Sequence, residues 1–362
     1  MPDLPFPTSG IPFYKGKLVS VPGATGLIGS WVVKILRESD AKVLGFLHKR
    51  PGNSLSALAD RTIPVDFTSP EGARYACRGA EIVVNCAGIT GGIGITKVDP
   101  VSYVGPATML ACNLIDACHR EGVERMGFLS STTVYAAQDG SVSEELLGDD
   151  PYKLYEGIGY SKRFLERLCR YYYERVGLKC AVVRPSGAYG RFDNFDESTS
   201  HVVPGMIQRS LKGLGEWRAS PAGMSSAIEG SVEPGNAGET FEIWGDGEDV
   251  RDLIHAQDVA YGYLLAVAKV EDATPINLAS GTGVTTRALA EHVLRSAGSA
   301  AQIVCNPEKP TALRSRLVNI DRAVGRLGFA PRISLAEGIA DTVQWYRGEV
   351  ESGAAQLRAA NR

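Results

Sequence analysis

No stretch of this sequence stays apolar for the roughly 20 residues that a helix needs to cross a bilayer, so no transmembrane helix is expected. Charge of one sign is equally scarce. The 38 Lys and Arg nearly balance the 41 Asp and Glu, and a net charge of −3 offers no general attraction to nucleic acid or to an anionic membrane. Close cysteine pairs are missing too. The seven cysteines, at positions 77, 86, 112, 118, 169, 180 and 305, are odd in number and lack metal-ligand spacing. Neither a structural zinc site nor a disulfide framework is expected. Most have apolar neighbours, as small buried hydrophobes do, which points to a reduced, cytoplasmic protein with no bound metal. Residues 1–13 are rich in Pro but lack the basic start and long apolar run of a signal peptide.

What is present suits a globular enzyme. At 362 residues, 44% hydrophobic and 22% charged, the chain can bury a full core and hold two units. The strongest pattern runs from Lys17 to Leu36. A short apolar run (Leu18, Val19, Val21) leads into Gly23, Ala24, Thr25, Gly26, Leu27, Ile28 and Gly29, and an amphipathic run (Trp31, Val32, Ile35, Leu36) leads out. That reads as strand, tight turn and helix. Glycine lets the backbone take positive φ and approach a bulky anion closely, and a helix N-terminus points free N–H groups at it. The result is a candidate dinucleotide site. Its glycines are spaced three apart, not in the Gly-x-Gly-x-x-Gly pattern, and Pro22 removes one N–H just before the turn.

Lys42–Leu47 reads as a second strand, followed by His48, Lys49 and Arg50. An acidic residue at this place would hold the ribose hydroxyls of NAD. A basic end suits a 2′-phosphate instead, which favours NADP over NAD; the plainer alternative is a solvated basic loop. Residues 63–67 read as a third strand. At its end Asp66, with Phe67 beside it, either borders the adenine pocket or merely starts a turn. Residues 81–86 form a nearly continuous apolar strand, as a sheet covered on both faces requires. Small residues follow (Ala87, Gly88), across which a cofactor would lie, and then a glycine-rich loop over 88–94.

Helical spacing over 100–121 precedes a strand at 126–129 that ends in Ser130, Ser131, Thr132 and Thr133. A second long helix is expected at about 158–175, with Phe164, Leu165, Leu168 and Tyr172 on one face. A buried strand over 179–184 is stopped by Pro185. Strands alternating with helices imply an α/β fold with a parallel sheet. Residues 213–240, rich in Gly, Ser, Ala and Pro, read as a long flexible loop or lid. Regular structure resumes at 241–244 and 251–265, with helical runs at 287–297 and 335–346. The expected division is a dinucleotide-binding unit over 14–185, to which later strands can return, and a substrate-binding unit over 186–350 carrying the 213–240 insertion.

The ordered motifs resemble the extended short-chain dehydrogenase/reductases of the nucleotide-sugar epimerase/dehydratase branch. They are Gly23 to Gly29, Asn85 to Gly88, Ser130 to Tyr135, Tyr160-Ser161-Lys162, Arg184 to Gly190 and Asn277 to Gly281. Gly91 to Ile93, Asp193 to Phe195, Ser200 to Pro204, Trp244 to Gly247 and Arg251 to Asp258 look most like the GDP-L-fucose synthases. The resemblance implies a Rossmann-type doubly wound parallel sheet with a smaller C-terminal substrate-binding lobe. It also implies a nicotinamide cofactor, a keto-deoxy nucleotide-hexose as substrate, and a homodimer paired through the two long helices.

Its catalytic residues transfer unevenly. Ser131 matches the hydroxyl that orients the sugar carbonyl, beside Thr132, and Lys162 the ammonium that holds the nicotinamide ribose. His201 matches an acid/base histidine. The family phenol should precede Lys162 by four residues, one helical turn. Ile158 stands there. Tyr160 lies about 200° round a regular helix from Lys162 and is a candidate only if the backbone is irregular; Tyr155 is on the right face but two turns away. Thr133 stands where the resemblance puts an epimerising cysteine, and a neutral hydroxyl is a poor carbon base. Arg209 and Arg251 match arginines that hold the nucleotide pyrophosphate, with Pro185 lining the cofactor. Arg314 and Arg316 are weaker matches, and Trp244 either packs on the base or fills the C-terminal core. The reading is a nucleotide-sugar epimerase, reductase or dehydratase with atypical proton-transfer groups. Its alternative is a cofactor binder that kept the fold and lost the chemistry.

Overall fold

A computed structural model of the chain describes residues 10–89, 99, 101–196, 199–212, 240–309, 311 and 313–353. The expected glycine-rich loop beyond residue 89 and the 213–240 insertion, apart from Thr240, lie outside the described residues.

The first strand, β1 (Leu18–Pro22), runs through the turn into α1 (Leu27–Glu38). Three more strands follow, β2 (Lys42–Leu47), β3 (Arg61–Pro64) and β4 (Ile82–Asn85), with α2 (Pro70–Cys77) between the last two. Next come α3 (Val104–Arg120), β5 (Arg125–Leu129), the short β6 (Ser141–Val142), α4 (Glu156–Val176) and β7 (Lys179–Pro185). Seven strands make one sheet in the order β11-β7-β5-β4-β1-β2-β3, in which β11 is Asp272–Leu278. Every neighbouring pair in it is parallel. The order reverses between β1 and β4. Such a switch point opens a crevice at the C-terminal strand ends, where doubly wound sheets bind ligands.

Both faces are covered, which explains the unbroken apolar character of β4 and β7. Trp31, Val32, Ile35 and Leu36 of α1 pack with Val259, Tyr263 and Leu264 of α6 (Ala256–Lys269) on one face. Leu110, Leu114, Leu165 and Cys169, from α3 and α4, cover the other. Helix α4 buries Leu165, Glu166 and Cys169, so Phe164 does not share its inner face and is 52% exposed. All seven cysteines are free, and Cys77 and Cys118 meet in this core with their sulfurs 3.7 Å apart.

The remaining elements form the second part. A smaller sheet joins β12 (Gly283–Thr285), β10 (Val250–His255), β14 (Ser315–Val318) and β6, with β8 (Gly187–Tyr189) beside β10. A parallel pair, β9 (Thr240–Trp244) and β13 (Gln302–Asn306), lies apart. Its core packs α5 (Val202–Lys212), α7 (Thr286–Ala297) and α9 (Leu335–Glu351), with α8 (Asp321–Leu327) on the first part. The regular stretch read at 251–265 is a strand and a helix. His255 divides them, its Nδ1 accepting the Gln257 N–H at 3.3 Å as an N-cap, a role for which histidine is not among the preferred residues. The third strand ends at Pro64, earlier than expected, because Asp66 turns the chain. No helix among the described residues is long and apolar enough to cross a membrane.

Candidate active site

The crevice is built from the turn upward. Gly23 has φ +78°, and a Cβ there would lie 2.5 Å from the Ala87 nitrogen at the end of β4. A Cβ on Gly29 would lie 2.1 Å from the Gly23 carbonyl oxygen. Only hydrogen fits at either place, and the turn is drawn tight against the strand ends. Gly26 is the N-cap of α1, and no side chain caps that helix. The N–H groups of Leu27, Ile28 and Gly29 therefore face the crevice end with the positive pole of the helix behind them. This cradle fits the pyrophosphate of a dinucleotide. Ala87 is fixed beside it by its N–H donating to Asn85 Oδ1 at 2.9 Å. Thr25 is buried, its hydroxyl donating to the Arg50 carbonyl at 3.4 Å, and Pro185 ends β7.

At the end of β2, His48 and Lys49 are exposed. Arg50 reaches across to the second part, where its guanidinium donates to the Phe192 carbonyl at 2.8 Å. Asp66 is exposed and makes an Asx turn, accepting from the Thr68 N–H and hydroxyl. Those bonds, with His48 and Lys49 nearby, hold its carboxyl below the usual range. Phe67 is buried against Phe46 in the core.

At the end of β5, Ser131 caps a single 3₁₀ turn over 132–134, its Oγ accepting the Thr133 N–H at 3.1 Å. The Thr133 hydroxyl is buried and has no hydrogen-bond partner. Lys162 reaches this end from α4, its Nζ donating to the Leu129 carbonyl at 2.8 Å and lying 4.9 Å over the Phe128 ring. Burial draws the ammonium down to about 8, against the pull of Glu166. Helix α4 is continuous through residue 160, so Tyr160 points away from Lys162. It is exposed and donates to Asp150. Ile158 thus stands one turn before Lys162 with no phenol in its place.

The second part closes the crevice. Arg316 of β14 donates to the Thr132 carbonyl at 2.9 Å and the Ala136 carbonyl at 2.8 Å, gripping the turn that carries Ser131. Its Nε is buried without a partner. Arg251 of β10 donates to the Leu313 carbonyl at 2.6 Å and pairs with Asp249. Tyr155, the N-cap of α4, lies within reach of both charges; burial raises its phenol and the two arginines oppose that. His201 is half-exposed, 4.0 Å from the buried Asp193, which holds the imidazole above its ordinary value.

Three other candidates lie on the second part. Arg209 lies over the Phe241 ring and donates to the Glu242 carbonyl at 2.7 Å. Arg314 pairs with Asp246 and lies 3.5 Å from Asp249, the carboxylate that Arg251 also contacts. Trp244 is 47% exposed and so does not fill the C-terminal core.

One network escaped the sequence reading. Glu166, one turn past Lys162, is ion-paired with Arg184 at 2.6 Å and accepts the Ser130 hydroxyl. Arg184 continues to Tyr135 at 3.1 Å, and Tyr135 donates to Asn277 Oδ1 at 2.6 Å. Both charges are almost fully buried, and removing one partner of such a pair costs about 3–5 kcal/mol. Glu166 and Arg184 have no spacing signal between them, since only the sheet brings α4 and β7 together.

Comparison with known proteins agrees with this geometry. The profile of the NAD dependent epimerase/dehydratase family matches residues 19–279. The chain belongs to that family. It is 28% identical over 349 residues to a dTDP-4-dehydro-6-deoxy-D-allose reductase from Streptomyces sp, covering 92% of this chain and 97% of that one. It is 26% identical to the GDP-L-fucose synthase of Escherichia coli (strain K12), covering 91% and 96%. Among solved structures it shares its fold with a GDP-L-fucose synthetase from Naegleria fowleri bound to NADP, at TM-score 0.74 and 18% identity, over 93% of this chain and 96% of that one.

Proposed function

We propose that this family member is a nicotinamide-dependent enzyme acting on the hexose of a nucleotide sugar, at a carbon that is a ketone in one of its states. The observation that carries the reading is the convergence of the glycine cradle, Ser131 and Lys162 on one set of strand ends, faced by Arg251 and Arg316. The cradle and the N-terminus of α1 hold the dinucleotide pyrophosphate, and the bound nicotinamide supplies or accepts hydride. Ser131 offers a hydroxyl to the sugar carbonyl oxygen. Arg251, with Tyr155 beside it, supplies a fixed positive field for the substrate diphosphate, a task suited to a permanently charged fork. Asp193 raises the His201 imidazole above its ordinary value, which supports His201 as a second acid/base group.

The similarity to a keto-deoxyhexose reductase and a fucose synthase supports a 4-keto-6-deoxy nucleotide-hexose as substrate. The exposed His48 and Lys49 favour NADP over NAD. The Rossmann unit is taken as 14–185 with β11 returning to it, and the substrate lobe as 186–350. Exposed Met109 on α3 with Tyr160, Phe164 and Tyr171 on α4 supports a homodimer paired through these helices. The free cysteines fit a cytoplasmic protein.

Fluorescence titration with NADPH and NADH, then incubation with 4-keto nucleotide-hexoses in D₂O with and without NADPH, tests the reading. Deuterium uptake without NADPH oxidation identifies an epimerase, and oxidation a reductase. Cofactor binding with neither across the panel would favour a binder that lost its chemistry, and absence of cofactor binding refutes the reading.

A further inference from the structure

A carbonyl reduction needs a proton donor, and the phenol that would serve is absent from its place. Tyr160 is turned to the surface by a regular helix. Tyr155 sits two turns before Lys162, toward Arg251 and Arg316. What does stand at the end of β5 is the ammonium of Lys162, two residues from Ser131 in the strand it contacts. Among the described residues its one hydrogen bond is to the Leu129 carbonyl, and it makes no ion pair.

We propose that Lys162 is itself the proton donor and acceptor at the substrate carbonyl oxygen, which Ser131 holds. The assignment rests on the enzyme reading above. The reductant is the reduced nicotinamide dinucleotide. As the carbonyl carbon gains hydride, the C=O π pair moves to oxygen, and that oxygen takes a proton from Nζ. Lys162 is left as a neutral amine and is reprotonated by water. In the oxidative direction the neutral amine removes the hydroxyl proton as hydride leaves the carbon.

The surroundings suit this use. From its own helix, Glu166 and Cys169 act on Lys162. From β5 come the Phe128 ring and the Leu129 carbonyl, and Arg184 of β7 pairs with Glu166. Both oxygens of Glu166 are taken, by Arg184 and by the Ser130 hydroxyl, so this carboxylate steadies the ammonium from a distance without binding its proton. Burial brings the ammonium to about 8, close to working pH, where a general acid is most effective.

Two measurements test the assignment. In ¹⁵N-lysine-labelled protein without substrate, the Nζ resonance absent from Lys162→Arg should titrate near pH 8; titration above about 9.5, in the ordinary lysine range, overturns it. Lys162→Arg keeps the positive charge but cannot release a proton. At saturating NADPH it should lose at least about a hundredfold in turnover, the smaller end of general acid–base contributions, with its fold retained by circular dichroism. Turnover within threefold of wild type overturns the assignment alone. A wild-type protein that turns over no member of the sugar panel overturns the enzyme reading and the assignment with it.

Discussion

His255 ties the two parts of the molecule together, and its titration can be predicted in magnitude. The imidazole ends β10, caps α6 and lies edge-on to Trp31 and Tyr189, with ring centroids 5.7 and 5.6 Å away. It is 1% exposed, and burial pushes it down to about 4; Asp341 pulls it up and Arg191 down from further off. In the unfolded chain it titrates at about 6.5. The folded value is the lower one, so as pH falls the unfolded chain takes the proton first. Its contribution is complete above about pH 6.5 and is lost between there and about pH 4. The full gap is worth about 3 kcal/mol, of which about 2 kcal/mol is gone by pH 5.

His255→Asn keeps a short acceptor for the Gln257 N–H and does not titrate. Urea unfolding of both proteins at pH 7.5 and pH 5 isolates the effect, because every other group cancels in the difference. Wild type should lose about 2 kcal/mol more than the variant over this interval, whatever packing the smaller side chain sacrifices at both pH values. A difference below roughly 0.5 kcal/mol would show that the ring is solvated in the folded protein and refute the reasoning.

Two further outcomes bear on the site and the assembly. Gly29→Ala forces a Cβ to within 2.1 Å of the Gly23 carbonyl unless the turn opens, so NADPH affinity by fluorescence titration should fall at least about tenfold, or 1.4 kcal/mol, with helix content unchanged; undiminished affinity would contradict the cradle. Phe164→Glu places a charge on the exposed face of α4 and should halve the mass measured by light scattering, whereas a monomeric wild type would refute pairing through that face.

Much of the fold was legible because its signals are local. The turn at Gly23 to Gly29 announces itself through three glycines between a strand and a helix, and the structure puts them there. The apolar runs over 81–86 and 179–184 read as doubly covered strands and are β4 and β7. Less legible was what each side chain faces. Asp66 closes an Asx turn and the Phe67 ring fills the core, contacts that no spacing in the segment announces. Arg314 is paired with Asp246 and reaches the Asp249 that Arg251 contacts, a cluster that its place in the sequence does not announce. His255 marks the boundary between a strand and a helix, which no ordinary capping preference announces.

By itself, the sequence determined that strands and helices alternate, that a glycine turn joins the first strand to the first helix, and that Ile158 stands one turn before Lys162. Those are consequences of spacing along one segment, where periodicity and glycine content act directly. Only the tertiary structure decided which side chains share the crevice. It sent Tyr160 to the surface, drew Arg316 onto the Ser131 turn, and joined Glu166 to Arg184 beneath Lys162. Each of those contacts joins elements held together only by the packed sheet. The burial that shifts the Lys162 ammonium likewise exists only once α4 has closed over β5.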